Sequence, residues 1–109
     1  MVSNIQSVHF TGIGGTAMAS AAAAMQDKGY TVTGSDQNVY EPMASFLAGK
    51  KIEVINGYSE RNLAHEPDLV VIGNAISRGN PEVEFVLDHK LRYCSLPALL
   101  AEFFIHGKR

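Results

Sequence analysis

Three stretches hold the residues whose types and spacing could do chemistry. The first runs from Val8 to Ala17, where Gly12, Ile13, Gly14, Gly15 and Thr16 separate an alternating apolar segment from an alanine-rich one. Glycines let a backbone turn sharply and leave no side chain between a helix's first free N–H groups and a ligand. A pyrophosphate could then sit on the positive end of the helix dipole. Ala17 takes the third position of the G-x-G-x-x-G pattern, an accepted variant where helix and strand pack closely. The bland alternative is a tight turn of the kind any α/β protein uses. The second stretch is Gly34, Ser35 and Asp36, with Asp36 about twenty residues beyond the glycines, where an acidic side chain can accept hydrogen bonds from ribose hydroxyls. The third runs from Gly73 to Glu82: Asn74 and Ser77 offer hydrogen bonds, Arg78 could meet a phosphate or sugar, and Asn80 with Pro81 reads as a cap and first turn.

These stretches need strands and helices to bring them together, and the patterning supplies both. Val8 and Phe10 alternate with His9 in a first strand, which puts His9 on the opposite face as a satisfied strand histidine or a ligand contact. Met18, Ala21, Ala22 and Met25 share one face of a helix expected over 15–28, which Gly29 stops. A second strand over Tyr30–Thr33 leads to Asp36, and then to a loop in which Tyr40 could contact a base or sugar or pack on its own loop. Pro42 opens a short helix with Met43, Phe46 and Leu47 inward. A third strand is expected at Ile52–Ile55, followed by a turn at Asn56 and Gly57 and a short helix capped by Ser59. Leu69–Ile72 is an unbroken apolar run that fits a strand covered on both faces. Val83, Val86 and Leu87 mark the next helix, Leu91–Cys94 a fifth strand, and Leu96, Leu99, Leu100 and Phe103 a last helix capped by Ser95. The order βαβαββαβα predicts a Rossmann-like, right-handed doubly wound α/β sheet of about five parallel strands. Ligands of such sheets sit off the carboxyl ends of the strands, where all three stretches emerge.

The bulk properties narrow the partners. The chain has 109 residues, 46% hydrophobic and 18% charged, with a net charge of -2. That length suits one domain, and that charge argues against a basic nucleic-acid surface. No apolar run is long enough to span a membrane, and the start lacks a signal-peptide pattern, so a cytoplasmic location is expected. Cys94 is the only cysteine, which excludes an internal disulfide and favours a packed core residue over a nucleophile. His9, His65, His89 and His106 show no metal-ligand spacing, and no metal is expected.

Taken together, the three stretches resemble the N-terminal domain of the Mur ligases, which bind UDP-linked muramic acid precursors of peptidoglycan. His9 to Gly15 resembles the opening of the UDP-N-acetylmuramate–L-alanine ligases. Gly34 to Met43 and Val71 to Pro81 are closer to the murein peptide ligases of the same family, which attach the recycled tripeptide L-Ala-γ-D-Glu-meso-diaminopimelate to UDP-N-acetylmuramate. The resemblance covers nearly the whole chain. It implies that the backbone of Gly12, Ile13, Gly14, Gly15 and Thr16 holds the diphosphate, Asp36 the ribose, and Asn74, Ala75 and Ile76 the uracil edge, with Ser35 and Tyr58 as lesser contacts. One departure is Gly57, where the alanine-adding enzymes often carry histidine. Family members continue into an ATP domain, and no G-x-x-x-x-G-K-[ST] loop occurs here. The chain is therefore expected to be the binding domain of a larger ligase and inactive alone, with ATP and Mg2+ needed by the parent and the remaining ligase domains as its partners. From another class, an NAD-binding domain of a dehydrogenase or regulatory protein would use the same glycine turn and acidic residue, and a scaffold without ligand would keep the glycines for structure alone.

Overall fold

β1 (Ser7–Thr11) forms where Val8 and Phe10 alternate with His9 and Thr11, and it becomes the central strand of the sheet. Four further strands, β2 (Thr31–Asp36), β3 (Glu53–Asn56), β4 (Leu69–Ile72) and β5 (Tyr93–Ser95), join it in the order β3-β2-β1-β4-β5. All four pairings are parallel. The computed structural model describes residues 5–105; residues 1–4 and 106–109, including most of the polar lead-in and His106, lie outside it.

Register decides what each face of the sheet carries. Val8 aligns with Val32 and Leu69, and Phe10 with Gly34 and Val71. These rows face the helices α1 (Thr16–Asp27), α2 (Met43–Gly49) and α4 (Leu96–Leu100), and bury Met18, Ala22, Met25, Leu47 and Leu99 in the main core. Alternate residues face the other way, where α3 (Pro81–Asp88) and a 3-10 turn (Glu60–Leu63) bury only Leu63, Val70 and Val86 as an apolar cluster. His9, Thr11 and Ser35 lie on this second face and are fully buried.

Caps fall where the sequence placed them. Ser59 accepts from the Arg61 amide, Asn80 from the Glu82 amide and Ser95 from the Ala98 amide, each satisfying a first-turn N–H. Some boundaries moved. β3 begins one residue later than expected because Ile52 turns into the main core, its N–H bonded to the Leu47 carbonyl. β5 starts at Tyr93 because Leu91 leaves the sheet to pack on the smaller cluster. The last helix widens at Ala101 into a π turn (Ala101–Ile105), which still buries Phe103. Cys94 is half-buried against the core, and burial pushes its thiol up. Among the described residues no helix is long and apolar enough to cross a membrane, and no cluster of His, Cys, Asp and Glu gathers as a metal site.

Candidate functional site

The chain leaves β1 towards one face of the sheet and β4 towards the other, so a crevice opens between their carboxyl ends. The Gly73 N–H donates to the Thr11 carbonyl at 2.9 Å and closes its floor. Above it lies a cleft of about 300 Å3 lined by Gly12, Gly15, Met18, Asp36, Tyr58 and the segment Gly73 to Ile76. A larger hollow of about 770 Å3 adjoins it past the start of α1, bounded by Gly15 to Met18, Asn74, Ser95, Leu96 and Pro97. A third concavity of about 300 Å3, at the amino ends of the strands, is lined by residues including Ile5, Leu69, Tyr93 and Phe103. It lies far from the glycine loop and is mostly apolar, without a helix start to receive an anion.

The glycine loop is locked before any ligand arrives. The Gly12 and Ile13 amides both donate to the Ser35 carbonyl, at 2.8 and 3.0 Å, and the Gly14 amide donates to Asp36 Oδ2 at 2.8 Å. The Gly14 contact needs glycine: a Cβ there would stand 2.8 Å from Asp36 Oδ2 and 3.3 Å from Val39. The Ile13 side chain is fully buried against Gly34 and anchors the loop from below. Gly15 caps α1 with extended backbone and no side-chain acceptor, so the first-turn amides from Thr16 on, together with that of Gly15, remain to meet an anion at the helix start. Of the loop expected to hold a diphosphate, this end is the part with donors to spare.

Asp36 anchors the opposite rim. Its Oδ1 accepts from the Gln37 amide at 2.8 Å and from the Tyr58 hydroxyl at 3.2 Å. The phenol of Tyr58 is pushed up to about 12, first by burial and then by the charge of Asp36 and its hydrogen bond. Carboxylate oxygens each accept more than one bond, so Asp36 retains capacity for a ligand hydroxyl. Across the cleft, Asn74 and Ala75 are exposed and Ile76 is half-buried in a turn closed by the Ile76 amide on the Gly73 carbonyl.

Several expected contacts lie elsewhere. Ser35 is fully buried with its hydroxyl on the far face, and only its carbonyl serves the glycine loop. The Arg78 guanidinium is spent on Glu84, with Nε and Nη2 at 2.7 and 3.0 Å from its oxygens. Tyr40 projects into solvent, 71% exposed. Gly57 has φ +98°, a backbone that a side chain such as histidine adopts only with strain.

The residue that closes the third stretch had no expected role. Glu82, in the first turn of α3, is fully buried beneath the crevice. Its Oε1 accepts from the hydroxyls of Thr11 and Ser35 at 2.8 and 2.7 Å and lies 3.1 Å from His9 Nε2; its Oε2 accepts from Asn62 Nδ2 at 2.7 Å and the Ser59 amide at 3.3 Å. Burial opposes its charge, yet the hydrogen bonds from His9, Asn62, Ser35 and Thr11 outweigh it and hold the carboxyl below its ordinary value. His9 fits this network as the Nε2–H tautomer, with Nδ1 accepting from the Thr33 hydroxyl at 2.8 Å. Ser35, His9 and Glu82 have the residue types of a hydrolytic triad. They are sealed from solvent, though, and Ser35 and Glu82 share the same ring nitrogen, so the group is structural. The period-2 run of polar residues on one face of β1 and β2 was the signal that a buried polar partner must stand opposite.

A family profile described as Mur ligase family, catalytic domain, matches residues 7–108. The chain belongs to the Mur ligase family. It is 45% identical over 101 residues to the UDP-N-acetylmuramate–L-alanyl-gamma-D-glutamyl-meso-2,6-diaminoheptandioate ligase of Haemophilus influenzae, covering 93% of this chain and 22% of that protein. It is 37% identical over 105 residues to a UDP-N-acetylmuramate–L-alanine ligase of Psychrobacter sp., covering 94% of this chain and 22% of that one. The crystal structure of a murein peptide ligase from Psychrobacter arcticus superposes with a TM-score of 0.89 at 42% identity, over 93% of this chain and 21% of its own. This Mur ligase chain thus spans about a fifth of the length of the relatives it matches.

Proposed function

We propose that this Mur ligase chain is the UDP-N-acetylmuramate-binding domain of a murein peptide ligase, an enzyme that joins a recycled tripeptide to that nucleotide sugar. The observation that carries the reading is the crevice between β1 and β4, where a helix start with spare amides, a strand-end carboxylate and the Asn74 loop converge on one cleft. The diphosphate would rest on Gly15 and Thr16, the ribose would hydrogen-bond Asp36, and the uracil edge would meet Asn74, Ala75 and Ile76 with Tyr58 nearby. The adjoining hollow gives the rest of the ligand room to continue past α1. The higher identity to the tripeptide-adding relatives, 45% and 46% over 101 residues, favours that group over the alanine-adding one, whose relatives at 36% to 42% identity support the second reading.

ATP and Mg2+ belong to the reaction of the parent ligase in this reading. The residues present do not fit them: the chain has no G-x-x-x-x-G-K-[ST] loop, and the described residues gather no carboxylate cluster for a metal. The domain's own part is to bind and orient the nucleotide sugar.

Calorimetric titration with UDP-N-acetylmuramate, with UDP and NAD as comparators, tests the proposal. Saturable binding of the UDP compounds without NAD is the expected result. Binding of NAD alone would replace the reading with a dinucleotide domain.

A further inference from the structure

The second face of the sheet carries a polar assembly that touches no part of the cleft and yet meets three of the segments bordering it, the ends of β1 and β2 and the stretch around Tyr58. Glu82 Oε1 binds the hydroxyls of Thr11 and Ser35, each one residue before a cleft residue, Gly12 and Asp36. Its Oε2 binds the Ser59 amide and Asn62 Nδ2, and the same Asn62 nitrogen donates to the Gly57 carbonyl at 2.9 Å. The backbone is therefore held on both sides of Tyr58, at Gly57 and at Ser59. The Tyr58 hydroxyl donates to Asp36, and Asp36 in turn holds the Gly14 amide.

We propose that Glu82 is a positioning residue for the nucleotide site: its buried carboxylate, acting through Ser59 and Asn62, fixes the 57–62 segment so that Tyr58 braces Asp36. The inference rests on the nucleotide-binding reading for its effect on a ligand. The positioning itself is a property of the free protein.

Reach, rather than charge alone, is what the role requires. Five donors converge on two oxygens from β1, β2 and the 57–62 segment, so the carboxylate must touch both sides at once. Glutamine keeps that reach. Its carbonyl can face Asn62 and Ser59, while its NH2 donates to the hydroxyls of Thr11 and Ser35; the Ser35 hydroxyl then donates to Nε2 of His9, which carries its proton on Nδ1 for the Thr33 hydroxyl to accept. Aspartate keeps the charge and loses a methylene of length, so it cannot hold both sides.

The test compares Glu82→Asp, Glu82→Gln and Asn62→Ala. Asn62→Ala leaves the buried carboxylate in place, cuts the link to Gly57, and covers the case in which Glu82→Asp fails to fold. The first readout is Tyr58 ionisation in the free protein, followed by NMR of labelled tyrosine. Asn62→Ala and Glu82→Asp, which keep the Glu82 carboxylate or its charge, should lower the phenol from about 12 towards 10.0, and Glu82→Gln, which removes only the charge of Glu82, the smallest cause of the rise, should lower it least. The second is affinity for UDP-N-acetylmuramate, which should weaken by roughly three- to tenfold in Asn62→Ala and Glu82→Asp, the range for one hydrogen bond. Glu82→Gln should bind as the parent does. Tyr58→Phe, costly in the parent, should cost nothing further in the Asn62→Ala background. An unmoved Tyr58 phenol in Asn62→Ala, or a Tyr58→Phe penalty undiminished there, overturns the inference. If the parent protein binds no UDP compound, the nucleotide reading fails instead, and the Tyr58 titration still decides the positioning.

Discussion

Replacing Asp36 by alanine puts the proposed ribose contact and the order of the glycine loop at stake together. The wild-type carboxylate accepts from Gly14 at 2.8 Å, Gln37 at 2.8 Å and Tyr58 at 3.2 Å. Removing it takes away the ribose acceptor and frees the Gly14 amide to wander from its position. Loss of a charged hydrogen bond costs about 1–3 kcal/mol, so the affinity for UDP-N-acetylmuramate should fall by roughly five- to 150-fold. Asp36 is only half-buried, and the core lies on other residues, so the variant should fold. Asp36→Asn sharpens the test. If its oxygen stays on Tyr58 and Gln37, its NH2 group faces the Gly14 N–H, donor against donor, and this near-isostere should bind little better than alanine. Both variants should also lower the Tyr58 phenol from about 12, because the charge and hydrogen bond of Asp36 are causes of its rise second only to burial. Calorimetry gives the affinity and tyrosine NMR the ionisation. A folded Asp36→Ala that binds within about twofold of the parent would refute the ribose role.

Other perturbations reach different parts of the same structure. Gly14→Ala places a Cβ 2.8 Å from Asp36 Oδ2, so binding in the same titration should weaken while the urea midpoint moves little. Phe10→Ala empties a fully buried site at the centre of the main core and should cost about 3–5 kcal/mol in urea unfolding. Acid should destabilise the fold with a particular slope. The Glu82 carboxyl sits below its ordinary 4.5 when folded, so the unfolded chain binds more protons in that range. The stability it contributes is complete above 4.5 and drains away as the pH falls through the folded value. Glu84, held down to about 2 by Arg78 and the Gly79 amide, adds to the same limb more weakly because it is solvent-screened. Melting temperatures of the parent and Glu82→Gln between neutral and acid pH should converge as the pH drops.

What the sequence determined by itself was whatever depends on residues close along the chain. The alternation of Val8 and Phe10, the helical spacing of Met18, Ala22 and Met25, the run Leu69–Ile72 and the caps Ser59, Asn80 and Ser95 are local preferences, and each became the expected element. The glycine loop and Asp36 were legible for the same reason, since a strand, a turn and a helix in succession dictate where they point. Tertiary structure decided which donors are left over. Gly12, Ile13 and Gly14 were expected on a ligand, but β2 runs alongside and takes their amides, leaving Gly15 and Thr16. Glu82 is the plainest case. A glutamate in a helix's first turn looks like a solvated charge at the positive end of a dipole. Only the order β2-β1-β4, with α3 packed beneath it, sets that carboxylate against Thr11, Ser35, His9 and Asn62, partners between 20 and 73 residues away along the chain. A buried charge is tolerable only when donors surround it, and the sheet's register, rather than any local pattern, assembles those donors.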